Sequence, residues 1–181
     1  MNRLTELLGT RWPLIQAPMA GAQGAALALA AGEAGALGSL PCAMLAPEAM
    51  RRELDLLVAS GRPYNVNFFC HTPPEPDAAR EAAWRAALAP YFAEIGLDPA
   101  TLAAGPGRLP FSAAAADALE PFRPRVLSFH FGQPAPELLA RVKAWGSVVL
   151  SSATTVDEAV WLEAYGADAV IAQGLEAGGH R

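Results

Sequence analysis

The sequence predicts an α/β protein with a parallel sheet, because apolar runs of strand length alternate with alanine-rich segments of helical length. Strands joined through helices pair in parallel by right-handed crossovers, which leaves an open doubly wound sheet or a (β/α)8 barrel. The expected strands are residues 14–19, 36–40, 64–70, 126–131, 148–152 and 167–172. The expected helices are residues 24–34, 47–60, 77–95, 111–122, 136–145 and 155–165.

Local signals mark the boundaries in the first half of the chain. Gly35 stops the first predicted helix, and the second has Pro47 in its first turn and Gly61 beyond its end. The third strand, YNVNFFC at 64–70, is rich in the aromatic and β-branched residues that favour strands. These first elements therefore follow a βαβαβ pattern.

The second half begins with a long connection. Prolines stiffen residues 72–76, and the helix over 77–95 carries apolar side chains at helical spacing, so one of its faces is expected to be buried. After a Gly-Pro-Gly turn, the next helix ends in the proline-containing region 121–124. Thr154 or Thr155 caps the last predicted helix, which precedes the sixth strand.

Residues at the ends of the strands favour the barrel over the open sheet. No GxGxxG motif follows the first strand, and polar or unusual residues follow several strands, where barrel enzymes place their chemistry. These residues are Met19, Ala20, Asn67, His130, Ser151, Ser152 and Gln173. Six strands do not close an eight-stranded barrel, for which about 250 residues are typical. We therefore expect one domain over residues 1–181, a TIM barrel truncated after about six strands and lacking its last βα units.

Composition and charge argue against several classes of partner. With 13 basic and 18 acidic side chains the net charge is −5, so no positive field favours nucleic acid. The apolar stretch 24–45 contains Glu33 and Pro41, which suit a buried helix and strand better than a membrane span. Cys42 and Cys70 lack metal-ligand spacing, so neither a disulfide framework nor a metal site is expected. Because no secretory signal is recognisable, a cytoplasmic location is expected.

His180 is the first candidate for acid–base chemistry near neutral pH. It closes the segment QGLEAGGH at 173–180, directly after the sixth predicted strand. The adjacent Gly178 and Gly179 let the backbone approach a flat ligand that a Cβ would keep away. The competing interpretation is a surface turn with an incidental histidine. The position at a strand end favours a base beside a cofactor.

The other two histidines differ in placement. His130 alternates with Phe129 and Phe131 in the segment SFHFG, so both phenylalanines are expected on one side of the strand and His130 on the other. An inward His130 would reach the pocket, and a hydrogen-bonded structural role is the equal alternative. His71 follows the third strand in a proline-rich loop, where an exposed residue is expected.

Amides and a Pro-Met pair complete the candidate site. Asn65 and Asn67 share one face of a strand that would otherwise be buried, and buried amides need partners. The edge of a heteroaromatic ring would satisfy these amides, as would the side chain of Gln173 at the end of the sixth strand. A hydrogen-bond network internal to the protein is an equal alternative. Met19, beside Pro18, would pack against a cofactor ring or simply fill the core.

Four motifs resemble one known family. They are QAPMAG at 16–21, VNF at 66–68, SFHFG at 128–132 and AQGLEAGGH at 172–180. Together they resemble the flavin-dependent nitronate monooxygenases, formerly called 2-nitropropane dioxygenases, over essentially all 181 residues. The EAGGH element is shared with flavin-type enoyl-acyl-carrier-protein reductases, whereas SFHFG resembles the class I nitronate monooxygenases in particular.

The resemblance implies an FMN-containing TIM barrel that oxidises alkyl nitronates, such as propionate 3-nitronate, with dioxygen to a carbonyl compound and nitrite. His180 matches the catalytic histidine of the family, and His130 matches the class I motif histidine. A neutral imidazole can take the α-proton of a nitroalkane, and an imidazolium can hold the anionic nitronate. The implied flavin contacts are the main chain of Pro18 and Met19, with Asn67, Gln173, Gly178 and Gly179.

The expected truncation departs from the family pattern. Barrels of this kind commonly hold the cofactor phosphate with loops after strands seven and eight, which are not among the predicted strands. The first and sixth strands would then be unpaired edges that favour aggregation, a homodimer or partial unfolding. The 181-residue chain alone is therefore expected to be inactive. The alternatives are an NADH-dependent enoyl-acyl-carrier-protein reductase of the same fold and a non-catalytic half-barrel fragment.

Overall fold

The fold is built on a parallel sheet of five strands, seen in a computed structural model that describes residues 2–102 and 108–179. A bridge between Ile15 and Leu37 adds the segment before the first strand to the sheet. The strands lie side by side in chain order, as in a TIM barrel and unlike the rearranged order of a doubly wound sheet. The predicted α/β barrel architecture is therefore confirmed. The strands are β1 (Gly38–Pro41), β2 (Tyr64–Phe69), β3 (Val126–His130), β4 (Val148–Ala153) and β5 (Ala169–Ala172).

Six of the helices follow the predicted segments and are only a few residues shorter at their ends. No helix in the described ranges is both long enough and apolar enough to cross a membrane. The α-helices are α1 (Arg3–Leu8), α2 (Ala25–Glu33), α3 (Pro47–Ala59), α4 (Ala78–Glu94), α5 (Ala113–Leu119), α6 (Pro136–Ala144) and α7 (Val156–Tyr165).

Two features of the amino-terminal region differ from the prediction. Residues 14–19 form only the bridge at Ile15, since prolines at positions 13 and 18 lack the N–H that a longer strand would need. The short helix α1 was not predicted, because six residues are too few to show helical periodicity. Its ends are nevertheless well defined: the Asn2 side chain accepts the Leu4 N–H at 2.9 Å, and Gly9 ends the helix at φ 73°.

The sheet has an apolar core on each face. On the outer face, helices α2, α3, α5 and α6 pack against the strands, and α2 lies so close to β1 that a Cβ at Gly38 would overlap the main chain of Ala28. On the inner face, Leu8 of α1 packs against apolar side chains near the amino ends of the strands. The inner group is Leu8, Leu37, Val126 and Leu150, with Leu4, Ile15, Val148 and Ala169 at its margin.

Among the described residues, 72–102 and 108 form a second compact unit. Within it, Arg85 of α4 pairs with Glu81 at 2.7 Å and donates to the Pro99 carbonyl at 2.6 Å. The prediction that α4 has one buried face is wrong. Trp84 and Tyr91 are each 63% exposed, because the described part of this unit offers α4 little more than a short 3-10 turn to pack against.

Candidate active site

The inner face of the sheet changes from apolar to polar along the strands. Leu150 belongs to the apolar group at the amino ends, and its register partner on β3 is Ser128. Ser128 in turn pairs with Asn67, so these three side chains share one face. We call the polar part of this face the inner wall. It consists of Ser39, Asn65, Asn67, Ser128, His130 and Ser152.

The amides of the inner wall are held by serine hydroxyls. The Nδ2 of Asn65 donates to Ser39 Oγ at 3.0 Å and to Ser128 Oγ at 2.9 Å. The Nδ2 of Asn67 donates to the carbonyl and the hydroxyl of Ser128, at 3.2 and 3.0 Å. Because the donors of Asn67 are engaged within the protein, its Oδ1 is the atom that it offers to a ligand N–H. The internal network and a ligand contact are therefore compatible at Asn67.

His130 lies on the inner wall, at the carboxyl end of β3. It is half-buried, and its Nδ1 is hydrogen-bonded to the hydroxyl of Ser152 on the neighbouring strand. Such a bond fixes the orientation of the ring, because the hydroxyl can accept from Nδ1–H or donate to a bare Nδ1. The inward placement expected for His130 is thus observed.

An aromatic group that the sequence did not predict surrounds this histidine. Phe69 lies beside His130 in the register of β2 and β3. His71 is half-buried, contrary to the exposed position expected for it, and packs edge-on against Phe131 with ring centroids 6.3 Å apart. Its position two residues after Phe69 is the signal that could have placed it on the inner face.

Phe131 does not follow the predicted alternation. Phe129 packs against Phe111 in the outer core, with ring centroids 5.3 Å apart. Phe131 was expected on the same side, but its ring contacts Phe69 and His130 of the inner face. The reason is its backbone φ of 65°, which ends the regular extended geometry and turns the side chain to the other side of the sheet.

Pro18 and Met19 follow the Ile15 bridge, beyond the carboxyl end of the first sheet segment. Pro18 is half-buried and Met19 is 46% exposed. Two glutamines that sequence reasoning missed anchor this loop. Gln16 Oε1 accepts the Ser39 N–H at 3.0 Å, and Gln23 Nε2 donates to the Ser39 carbonyl at 2.6 Å.

Gln173 and the glycine-rich segment come directly after β5. The Gln173 N–H donates to the Ala153 carbonyl at 2.9 Å, which extends the pairing of β4 with β5, and the residue is half-buried. Gly178 is open on the side where a Cβ would stand, and Gly179 has a left-handed φ of 80°. His180 lies outside the described residues. The structure thus brings Asn67, His130 and Gln173 to the same end of the sheet.

The loops at this end lack cationic side chains and carry one carboxylate, Glu176. The described connections that follow the strands in the sheet unit, residues 16–24, 42–46, 70–71, 131–135, 153–155 and 173–179, contain no Lys or Arg. Amides, hydroxyls and exposed glycine backbone fit the edge of a flat heteroaromatic ring such as a flavin. A phosphate group would find no cationic side chain in these segments.

The cysteines at this end do not supply a nucleophile at neutral pH. Cys42 follows β1 and Cys70 follows β2, and both pack with the outer core. Burial raises the pKa of the Cys42 thiol well above its usual range and raises the pKa of Cys70 to about 12. Both thiols therefore remain protonated at pH 7, whereas the deprotonated thiolate is the reactive form.

Comparison with known proteins identifies one family over the whole chain. A family model described as nitronate monooxygenase matches residues 1–181. A nitronate monooxygenase of Pseudomonas aeruginosa is 46% identical over 99% of this chain and 52% of its own length. A nitronate monooxygenase of Paraburkholderia phytofirmans is 42% identical over 98% of this chain and 49% of its own length. The chain thus spans about half the length of the curated relatives it matches.

Solved structures agree with this result. A nitroalkane oxidase from Streptomyces ansochromogenes superposes with a TM-score of 0.84 and 39% identity, over 98% of this chain and 50% of the other. FabK from Thermotoga maritima superposes with a TM-score of 0.71 and 25% identity, over 99% of this chain and 46% of the other. A mutant of FabK, at 24% identity and a TM-score of 0.73, shows the same fold.

Proposed function

The chain belongs to the nitronate monooxygenase family, and from this membership we propose that it forms the flavin-binding part of an enzyme that oxidises alkyl nitronates. The substrates are compounds such as propionate 3-nitronate and dioxygen, and the products are a carbonyl compound and nitrite. The observation that carries the proposal is the inner wall, where amides, hydroxyls and an imidazole lie together at the carboxyl ends of parallel strands.

FMN is the flavin that we propose for this family of flavin enzymes. Asn67 would accept a ring N–H through Oδ1, and Gln173 would contact the ring edge from β5. The main chain of Pro18 and Met19, together with Gly178 and Gly179, would lie along the ring. When bound, FMN supplies the electron transfer from the nitronate to dioxygen.

The histidines supply proton transfer and positive charge. We assign His180 as the base that takes the α-proton when the substrate is a neutral nitroalkane, and as the imidazolium that holds an anionic nitronate. His130 is the second catalytic candidate, with its ring oriented by Ser152. Since the described loops at this end contain no Lys or Arg, the imidazoles are the groups of these segments that can balance a nitronate charge.

The wider setting is also part of the proposal. We place the enzyme in the cytoplasm, where its cysteines remain reduced. The phosphate of FMN would be held by parts of the protein other than the described strand-end loops, which lack cationic side chains. β5 is the last strand of the described sheet and its residues are half-buried or exposed, so association of two copies into a homodimer would cover them.

The test is nitrite release in air. The protein, expressed with any coding sequence that follows Arg181, is expected to bind flavin and to release one nitrite per propionate 3-nitronate consumed, with uptake of dioxygen. Anaerobic incubation should abolish turnover. A flavin-loaded protein that releases no nitrite would overturn the proposal. Oxidation of NADH dependent on an enoyl thioester, without nitrite, would favour the reductase alternative.

A further inference from the structure

Phe131 has a backbone conformation that a bulky residue rarely adopts. Its φ is 65°, and the only other described non-glycine residue with a positive φ is Arg123, at 40°. Left-handed backbone at a residue with a Cβ costs free energy, so it persists only where the surrounding structure enforces it. Such residues cluster at functional sites, which makes Phe131 a position to explain.

Hydrogen bonds hold the chain on both sides of Phe131. The carbonyl of His130 accepts the Cys70 N–H at 2.8 Å, which fixes the end of β3 to the end of β2. The carbonyl of Gly132 accepts the hydroxyl of Ser151 at 2.8 Å, and Ser151 is fully buried on β4. With its neighbours fixed to two different strands, the peptide at Phe131 is held in the left-handed conformation.

This conformation brings the Phe131 ring between two imidazoles. The centroid of the ring lies 3.9 Å from that of His130 and 6.3 Å from that of His71, and the His71 contact is perpendicular. The ring of Phe69 packs against a third side of the Phe131 ring, with the two centroids 5.3 Å apart. A regular strand would direct residue 131 to the outer face, where Phe129 lies. The left-handed backbone is therefore what puts the Phe131 ring against His130.

We propose that Phe131 is a positioning residue for His130. Its ring holds the imidazole so that Nδ1 faces Ser152 on β4, and its contact with His71 includes a second imidazole in the site. His130 could rotate about its side-chain bonds without this ring, and the proton would then distribute between the two ring nitrogens. The catalytic meaning of this orientation rests on the proposed function, whereas the orientation itself does not.

The test compares Phe131→Gly, Phe131→Leu and Phe131→Tyr with the unchanged protein. Glycine relieves the left-handed strain but removes the ring, leucine keeps the apolar volume, and tyrosine keeps the ring. We expect kcat/KM for nitrite release to fall at least tenfold in the glycine and leucine variants, mainly through kcat. In the tyrosine variant we expect kcat/KM to stay close to that of the unchanged protein. Arg123→Gly is the matched control, since it relieves the other left-handed residue, before the amino end of β3, and should leave kcat/KM unchanged.

A second readout separates positioning from turnover. The chain has three histidines, so the ¹⁵N signals of the His130 ring can be assigned with His71→Gln and His180→Gln variants. We expect one neutral tautomer of His130 in the unchanged protein and in Phe131→Tyr, and a mixture in Phe131→Gly and Phe131→Leu. The same tautomer in all four proteins would overturn the proposal. If the unchanged protein releases no nitrite but the tautomer shifts as expected, the proposed function fails and the positioning role of Phe131 stands.

Discussion

His130 and Ser152 join two neighbouring strands at the carboxyl end of the sheet, through a hydrogen bond between Nδ1 of the imidazole and Oγ of the serine. The hydroxyl can accept from Nδ1–H or donate to a bare Nδ1, so Ser152 orients the ring of His130 in either neutral tautomer. The pair links a motif residue of β3 to a serine of β4 that carries no motif of its own.

Replacing Ser152 by alanine should impair turnover without unfolding the protein. The loss of one hydrogen bond of about 1.4 kcal/mol corresponds to a decrease of roughly tenfold in kcat/KM. Ser152→Thr retains the hydroxyl and should keep most of the activity. Steady-state nitrite release at several pH values measures the effect. Equal activity of the alanine variant and the unchanged protein would contradict the role given to Ser152.

Asn65 should be a structural residue of the inner wall, because it bridges the hydroxyls of Ser39 and Ser128 and is 1% exposed. Asn65→Ala removes both bonds and leaves two buried hydroxyls with one partner fewer. We expect the free energy of unfolding to fall by about 1–3 kcal/mol, measured by urea titration. Ser39→Ala, which removes one of the two bonds, should cost less. A stability equal to that of the unchanged protein would show that the bridge contributes nothing.

Gln133 should be replaceable with a gain in stability. Both polar atoms of its amide are buried, and neither has a hydrogen-bond partner within residues 2–102 and 108–179. A buried unpaired amide costs free energy, so Gln133→Leu should raise the free energy of unfolding by about 1–2 kcal/mol. Gln133→Glu, which buries a charge, should lower it. A loss of stability in the leucine variant would show that the amide is paired in the protein.

The protein should lose stability at alkaline pH. Burial raises the pKa of Cys42 above its usual range, and raises the pKa values of Cys70 and Tyr64 to about 12 each. In the unfolded chain the thiols titrate near about 8.5 and the phenol near about 10, so above these values the unfolded state binds fewer protons than the native state. Each group then removes about 1.4 kcal/mol per pH unit between its unfolded pKa, about 8.5 for a thiol and about 10 for the phenol, and its native pKa.

Urea titrations between pH 7 and 11 measure this alkaline loss. The double variant Cys42→Ala/Cys70→Ala will differ from the unchanged protein in its free energy of unfolding at pH 7. Above about pH 8.5, its free energy of unfolding should fall less steeply with pH than that of the unchanged protein. An unchanged slope would show that the thiols are not the groups responsible.

Most elements of the sheet unit could be predicted from the sequence because their signals are local. Pro47 at a helix start and the β-forming run that became β2 depend on neighbouring residues alone. The order of the strands followed from the barrel, which the residues at the strand ends favoured, because right-handed crossovers alone also allow a doubly wound sheet. The exposed face of α4 could not, because periodicity shows that a face is apolar but not whether the fold provides something to cover it.

The candidate site was predicted less completely, because its details depend on contacts between distant segments. Asn67 and His130 were placed by the alternation of a strand. The partnership of His130 with Ser152 and the anchoring of Gln16 and Gln23 to Ser39 depend on which strands are neighbours. The turn of Phe131 to the inner face reverses the alternation, and no local feature of SFHFG announces it.

The most direct test of the central claim, that the inner wall holds a flavin ring, is the affinity of the protein for FMN, measured by quenching of FMN fluorescence. Asn67→Leu removes the Oδ1 acceptor. The control is Arg62→Gln, because Arg62 lines a cavity with Arg11 and Gly35 that includes no residue of the inner wall. We predict that Asn67→Leu weakens FMN binding at least tenfold and that Arg62→Gln leaves it unchanged. Equal FMN affinity of Asn67→Leu and the unchanged protein would contradict the account.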